Sequence, residues 1–282
     1  MKSIKLFFTT TMLLFCFNSV KAQSLDNIKS LINRGNYLDA AKQLRPLADG
    51  GNAEAQVLAA QLFFEGKGVQ KNEQQGIKYA THAANQGNEK GILLLVDYYE
   101  KVDAQKYVQT IKNYLKPIEY AGDVNDKLAC RLGLALVRGH GINKNIDKGW
   151  DMIRSSSWHL VFIAERKIER DYYNYWTMKF GCKDMEAYCD YLYGKNDDDS
   201  SAVLEFILRE KGFDISTDKK TIYEYYLDRA NKGNGFAMAF VAAYLIDINK
   251  EQAIIWVKKS KDLGSGFGCW LWKEHFSTDS TL

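Results

Sequence analysis

The sequence predicts an all-α chain, an α/α superhelical solenoid of about seven helix-turn-helix units with a C-terminal capping helix. Three observations carry that expectation. Apolar residues recur with the period of a helix, two segments repeat without a gap 73 residues apart, and only 2 of the 282 residues are proline. An average usage would give roughly 14 prolines. Aromatic residues reach 13%, so long helices packed through Tyr, Phe and Trp are expected.

Residues 1–22 read as an export signal. Lys2 and Lys5 form a basic start, Leu6 to Phe17 an apolar run, and Val20-Lys21-Ala22 a cleavage site that leaves Gln23 as the mature N-terminus. The apolar run is well short of the ~20 residues that a bilayer-spanning helix needs. Bulky Phe15 before Cys16 disfavours lipid attachment, and no later apolar stretch has spanning length. The expectation is a periplasmic or secreted product, with residues 23–282 as one repeat domain and no integral membrane segment after cleavage. Removing Lys2, Lys5 and Lys21 leaves 35 basic and 35 acidic residues. A neutral body without a basic face is a poor nucleic-acid binder, because phosphate contacts supply most of that affinity.

The repeat is read from matched segments. Gly66-Lys67-Gly68-Val69-Gln70-Lys71-Asn72 returns as Gly139-His140-Gly141-Ile142-Asn143-Lys144-Asn145. Ala83-Ala84-Asn85-Gln86-Gly87-Asn88 is echoed at Glu119-Tyr120-Ala121-Gly122-Asp123 and at Arg229-Ala230-Asn231-Lys232-Gly233-Asn234, so the 73-residue interval holds two units. Both prolines, Pro46 and Pro117, fall at one repeat position. Gly264-Ser265-Gly266-Phe267 echoes Gly233-Asn234-Gly235-Phe236 after a shorter interval of 31. The units then run near 24–52, 53–88, 89–123, 124–161, 162–197, 198–234 and 235–265, with a cap over 266–282.

Within a unit, positions 55, 59, 62 and 63 share one helical face, and Leu128, Leu132, Ala135 and Leu136 repeat it. This is helix A. A Gly-rich turn leads to helix B, whose face is Ile77, Ala80, Ala83 and Ala84 and whose end is Gly87. Gly133 stands inside a helix A, where glycine costs about 0.5–1 kcal/mol relative to alanine. Ala60 and Ala242 at the equivalent positions predict a close A–B crossing there, and Val96 a looser one. No helix can bury its stripe alone, so the units must stack.

The pattern Ala55…Ala59-Ala60…Phe63…Gly66-Lys67-Gly68-Val69…Tyr79…Ala83-Ala84-Asn85-Gln86-Gly87, with Leu132-Gly133…Gly139-His140-Gly141-Ile142, resembles the Sel-one-like repeat (SLR), a relative of the tetratricopeptide repeat. The resemblance is strongest over 53–88 and 124–160. It implies an α/α superhelix that scaffolds protein complexes, with exported bacterial members. A cysteine-rich branch of that family is linked to penicillin binding and β-lactam hydrolysis, which keeps a hydrolase acting on a β-lactam or cell-wall substrate as the alternative, beside a purely structural envelope component. This chain lacks the paired cysteines that staple each unit in that branch.

The mature part has four cysteines, Cys130, Cys182, Cys189 and Cys269. Cys182 and Cys189 straddle an expected inter-helix turn, which leaves two readings, a bridge or two separate thiols. Cys130 falls on a helix A core face and is expected free. The histidines His82, His140, His159 and His275 lack metal-ligand spacing. Asn196-Asp197-Asp198-Asp199 lacks both the turn glycine and the terminal acid of a calcium loop, with Ala202 and Leu208 in those places, so it reads as a helix cap. Ser216-Thr217-Asp218-Lys219 has the Ser-x-x-Lys form of a serine β-lactamase without its companion motifs. No catalytic residue, metal ligand or cofactor site is assigned.

The aromatic clusters point to a partner surface, because Tyr and Trp combine large contact area with a polar handle. The candidates are Tyr172, Tyr173, Tyr175, Trp176, Tyr188, Tyr191, Tyr193, Tyr223 and Tyr226. Adjacent residues on a helix diverge by about 100°, so some of these are expected to face outward and hold a protein or peptide partner.

Overall fold

The structure, a computed structural model, describes residues 25–116, 123–214, 216 and 218–277. The proposed export signal and Pro117 lie outside these residues. The described residues form sixteen helices and no strand, and most helices pack on their neighbours in sequence within each unit, consistent with an α/α solenoid. None is long and apolar enough to cross a membrane. The chain divides into two compact units, 1–159 and 160–282.

The first unit contains α1 (25–33), α2 (Tyr37–Asp49), α3 (Ala53–Glu65), α4 (Glu73–Asn85), α5 (Glu89–Val102), α6 (Ala104–Tyr114), α7 (Asp123–Arg138) and α8 (Ile146–Arg154). Its punctuation follows the repeat. Asn52 and Asn88 cap α3 and α5 by accepting from the backbone N–H of Ala55 (2.8 Å) and Gly91 (3.0 Å). Asn72 and Asn145 do the same for α4 and α8, each at 3.0 Å.

The paired glycine turns have a packing cause. Gly68 and Gly141 both have φ +69°, and a Cβ on either would collide with the carbonyl of the first residue of an earlier helix B, Tyr37 or Ala104. Each turn therefore lies directly against the preceding helix pair. Polar contacts also recur from pair to pair: the Tyr79 hydroxyl donates to Asp49 at 2.6 Å, and the Tyr114 hydroxyl donates to Asn85 at 2.9 Å.

The close A–B crossing expected at Gly133 is present between α7 and α8. The small residues Ala55, Ala59, Ala60, Ala80 and Ala84 line the α3–α4 contact and are buried. Val96 is buried as well, and α5 and α6 pack less extensively than the other two pairs, as its bulk predicts.

The second unit contains α9 (His159–Arg166), α10 (Glu169–Lys179), α11 (Met185–Lys195), α12 (Ser200–Glu210), α13 (Lys219–Asn231), α14 (Gly235–Leu245), α15 (Lys250–Asp262) and α16 (Gly266–His275). Regular pairing lapses here. The 162–197 segment holds most of α9 as well as α10 and α11, because Lys167 takes a left-handed φ of +54° and ends α9 after eight residues. Across 198–234, α12 and α13 make little contact with each other. Phe206 of α12 turns instead to Tyr173 of α10, with ring centroids 5.1 Å apart.

The C-terminal helix does more than close a row. α16 packs on α15 and α14, and also on α11, some 75 residues earlier in the chain, burying Phe267, Leu271 and Phe276. No A–B periodicity foretold that α11 contact.

Candidate functional site

The second unit is organised around α11, which presents different side chains to four neighbouring helices. Asp184 caps its N-terminus by accepting from Ala187 N at 2.8 Å, and Asn196, at φ +55°, ends it. Between these ends Tyr188, Cys189, Leu192 and Tyr193 are buried.

Most of the aromatic candidates are core residues, which corrects the expectation of a broad aromatic surface. Tyr172, Tyr173, Trp176, Tyr188, Tyr193 and Tyr226 are all buried. Tyr172 and Tyr173 are both covered because Tyr172, Tyr173, Trp176 and Thr177 share one broad buried face of α10, wide enough for two adjacent residues. Tyr193 stacks on Phe267 of α16 at 4.1 Å, and Tyr226 on Phe240 of α14 at 4.2 Å. Tyr223 is half-buried against Tyr244 at 4.4 Å.

What remains at the surface is narrower. Phe180, in the turn after α10, stacks on Trp176 (5.5 Å), Tyr188 (6.0 Å) and Tyr191 (5.1 Å). Phe180 and Tyr191 are 39% and 36% exposed, and neighbouring Met178 is 74% exposed. The Lys179 ammonium lies 5.3 Å from the Tyr175 ring and 4.8 Å from that of Trp176, and Lys195 lies 5.8 Å from Tyr191. The result is a ladder of rings with a buried foot, an exposed crest and a lysine at each side. Of the sequence candidates, Tyr175 and Tyr191 belong to this surface. Phe180 and Met178 were missed, although an apolar pair just before the turn glycine Gly181 is a signal that could have found them.

The opposite side of α11 carries charge. Arg229 of α13 donates from Nη1 and Nη2 to the two Glu186 oxygens at 2.9 and 2.5 Å, and Lys211 Nζ lies 3.0 Å from Glu186 Oε1. Lys211 and Arg229 also donate to the Tyr225 hydroxyl at 3.2 and 2.9 Å. Burial would raise the Tyr225 phenol, but the hydrogen bonds from Arg229 and Lys211 outweigh it and hold the group below its ordinary value. Clefts of about 350 and 250 Å³ flank the Glu186–Arg229 pair. No local motif announces a pair 43 residues apart.

Asp190, one turn further along α11, anchors the C-terminal helix. Its carboxylate accepts from the Ser265 hydroxyl (2.6 Å), Phe267 N (3.0 Å) and Gly266 N (3.2 Å). A Cβ on Gly266 would meet the Asp190 carbonyl and come within 2.6 Å of Gly194 N. The α11–α16 crossing therefore depends on a small residue and a capping acid supplied by another helix.

The four described cysteines are free thiols, so of the two readings for Cys182 and Cys189 the structure has the separate thiols. Cys189 is buried toward α12 and donates to the Ser200 carbonyl at 3.4 Å, while Cys182 is half-buried in the turn before α11. Burial raises both thiols, and it pushes Cys130 up to about 11. The Ser216 hydroxyl donates to Asp214 at 2.7 Å in an exposed turn, the contact of a turn-shaping residue.

Comparison with known families finds the Sel1 repeat at residues 53–88, 127–155 and 237–265. Among solved structures, a Sel1 repeat protein from Oxalobacter formigenes is similar over 86% of this chain and 83% of its own, at 20% identity and a TM-score of 0.44. A second, c5321, a protective antigen present in uropathogenic Escherichia coli strains and displaying an SLR fold, is similar over 82% of this chain and 50% of its own, at 17% identity and a TM-score of 0.45. No curated protein sequence matches.

Proposed function

From a chain that carries Sel1 repeats in both of its compact units, we propose a non-catalytic scaffold that holds a protein or peptide partner on the exposed crest of the α10–α11 aromatic ladder. Sel1 repeats mediate protein–protein interaction in general, and the finer reading rests on this chain's own surface. The observation that carries it is the stack of exposed Phe180 and Tyr191 on buried Trp176 and Tyr188. Rings held from behind lose little conformational freedom on binding, which is the property of an interface anchor.

Export through residues 1–22 is part of the same proposal and is supported by their basic, apolar and small-residue succession. It places the partner in the periplasm or outside the cell. The hydrolase alternative draws no support from Ser216, whose hydroxyl is engaged by Asp214 in an exposed turn.

The test is capture of binding proteins by tagged mature chain and by its Phe180→Ala/Tyr191→Ala variant. The proposal expects a protein retained by the first and lost by the second, with unchanged thermal melts. Equal capture by both places the binding face elsewhere.

A further inference from the structure

Where α12 and α13 fail to pack, the second unit keeps an open groove of about 540 Å³. Leu208 and Ile222 are buried in its floor, and Phe240 and Tyr244 of α14 form a half-buried wall. One end is marked by three exposed side chains, Lys219 at the start of α13 and Asp247 and Ile248 just past α14. The Tyr223–Tyr244 stack one turn inward shows that these two helix ends lie side by side.

These three side chains stand together at the surface. Ile248 is 66% exposed, and neither Lys219 nor Asp247 has an ion-pair partner among the described residues. We propose that this end of the groove is a two-fold self-association surface. A second copy of the chain seats its Ile248 in the groove, while Lys219 of each copy meets Asp247 of the other.

The choice of a second copy follows from self-complementarity. A two-fold contact requires one patch to hold both members of every matched pair. This patch holds an apolar knob with an apolar groove, and a cation and an anion that form no ion pair among the described residues. Each matched pair forms twice across the axis, and the two crossed ion pairs fix the orientation of the copies.

The test is sedimentation velocity of the mature chain from micromolar to several hundred micromolar, with Lys219→Glu, Ile248→Asp and the charge swap Lys219→Glu/Asp247→Lys. All three positions are exposed, so thermal melts should match the parent's. The expected result is a dimer fraction that rises with concentration, association weakened by about tenfold or more in each single variant, and recovery in the swap. A chain that is monomeric throughout, a dimer untouched by both single variants, or an open-ended series of oligomers overturns the proposal.

Discussion

Gly133 and Gly149 face each other where α7 crosses α8, so closely that a Cβ added to either would stand 2.6 Å from the other's carbonyl oxygen. On an exposed helix, replacing Gly133 by Ala would add about 1 kcal/mol of helix propensity. At this crossing the sign reverses. Gly133→Ala should destabilise the protein by about 1–3 kcal/mol, the range of overpacked cores, and Gly133→Leu by more. Urea midpoints of the two variants check this, and a midpoint equal to or above the parent's would contradict the close crossing.

The Asp190 anchor makes a second prediction. Asp190→Ala removes three hydrogen bonds to the start of α16, at a cost of about 1–3 kcal/mol for a charged cap. The C-terminal helix should become sensitive to limited proteolysis before the rest of the chain. Truncation before Gly266 should expose the surface that covers Phe267, Leu271 and Phe276, and promote aggregation. A truncated chain that melts with the parent and stays soluble would count against the anchor.

Thiol chemistry separates the four described cysteines. Intact mass should be the same with and without reductant, since none is bridged. Exposed Cys269 should be alkylated first at pH 8, half-buried Cys182 later, and Cys130 and Cys189 only on unfolding, because burial keeps them protonated and covered. A two-dalton mass difference on reduction, with the bridge mapped by peptide analysis to Cys182 and Cys189, would restore that pairing.

Alkaline stability follows from the buried acids. Burial and the hydrogen bond to Asp49 push Tyr79 up to about 12, and burial takes Cys130 to about 11. Both groups are neutral in the fold and ionise more easily when unfolded. Their contribution is complete below the unfolded values, about 8.5 for a thiol and 10 for a phenol, and is lost as pH rises through the folded ones. The urea midpoint should fall between about pH 9 and 12. Tyr79→Phe should cost about 1 kcal/mol at neutral pH and flatten the upper part of that fall, and an unchanged profile would contradict the assignment.

The first unit was legible in the sequence because its packing is local. Asn caps, paired glycines and small crossing residues each act within one repeat or between neighbours, so they recur at fixed intervals. In the second unit the decisive contacts, Glu186 with Arg229 and Asp190 with Ser265, join residues far apart in the chain and leave no periodic trace. Tyr172 and Tyr173 misled for a related reason. Helical divergence says that adjacent rings point apart by about 100°, whereas the buried face of α10 is broad enough to take both, leaving residues 170, 171, 174 and 178 outward. Phe180 had only the turn glycine Gly181 to mark it, and its place on the ladder came from the contact with Tyr191.

The most direct test of the scaffold reading is photo-crosslinking in cells from position 180, on the crest of the ladder, and from position 255, an exposed site on α15 outside it. The account predicts one discrete adduct from position 180 and none from position 255. No adduct from position 180, or the same adduct from both positions, would contradict it.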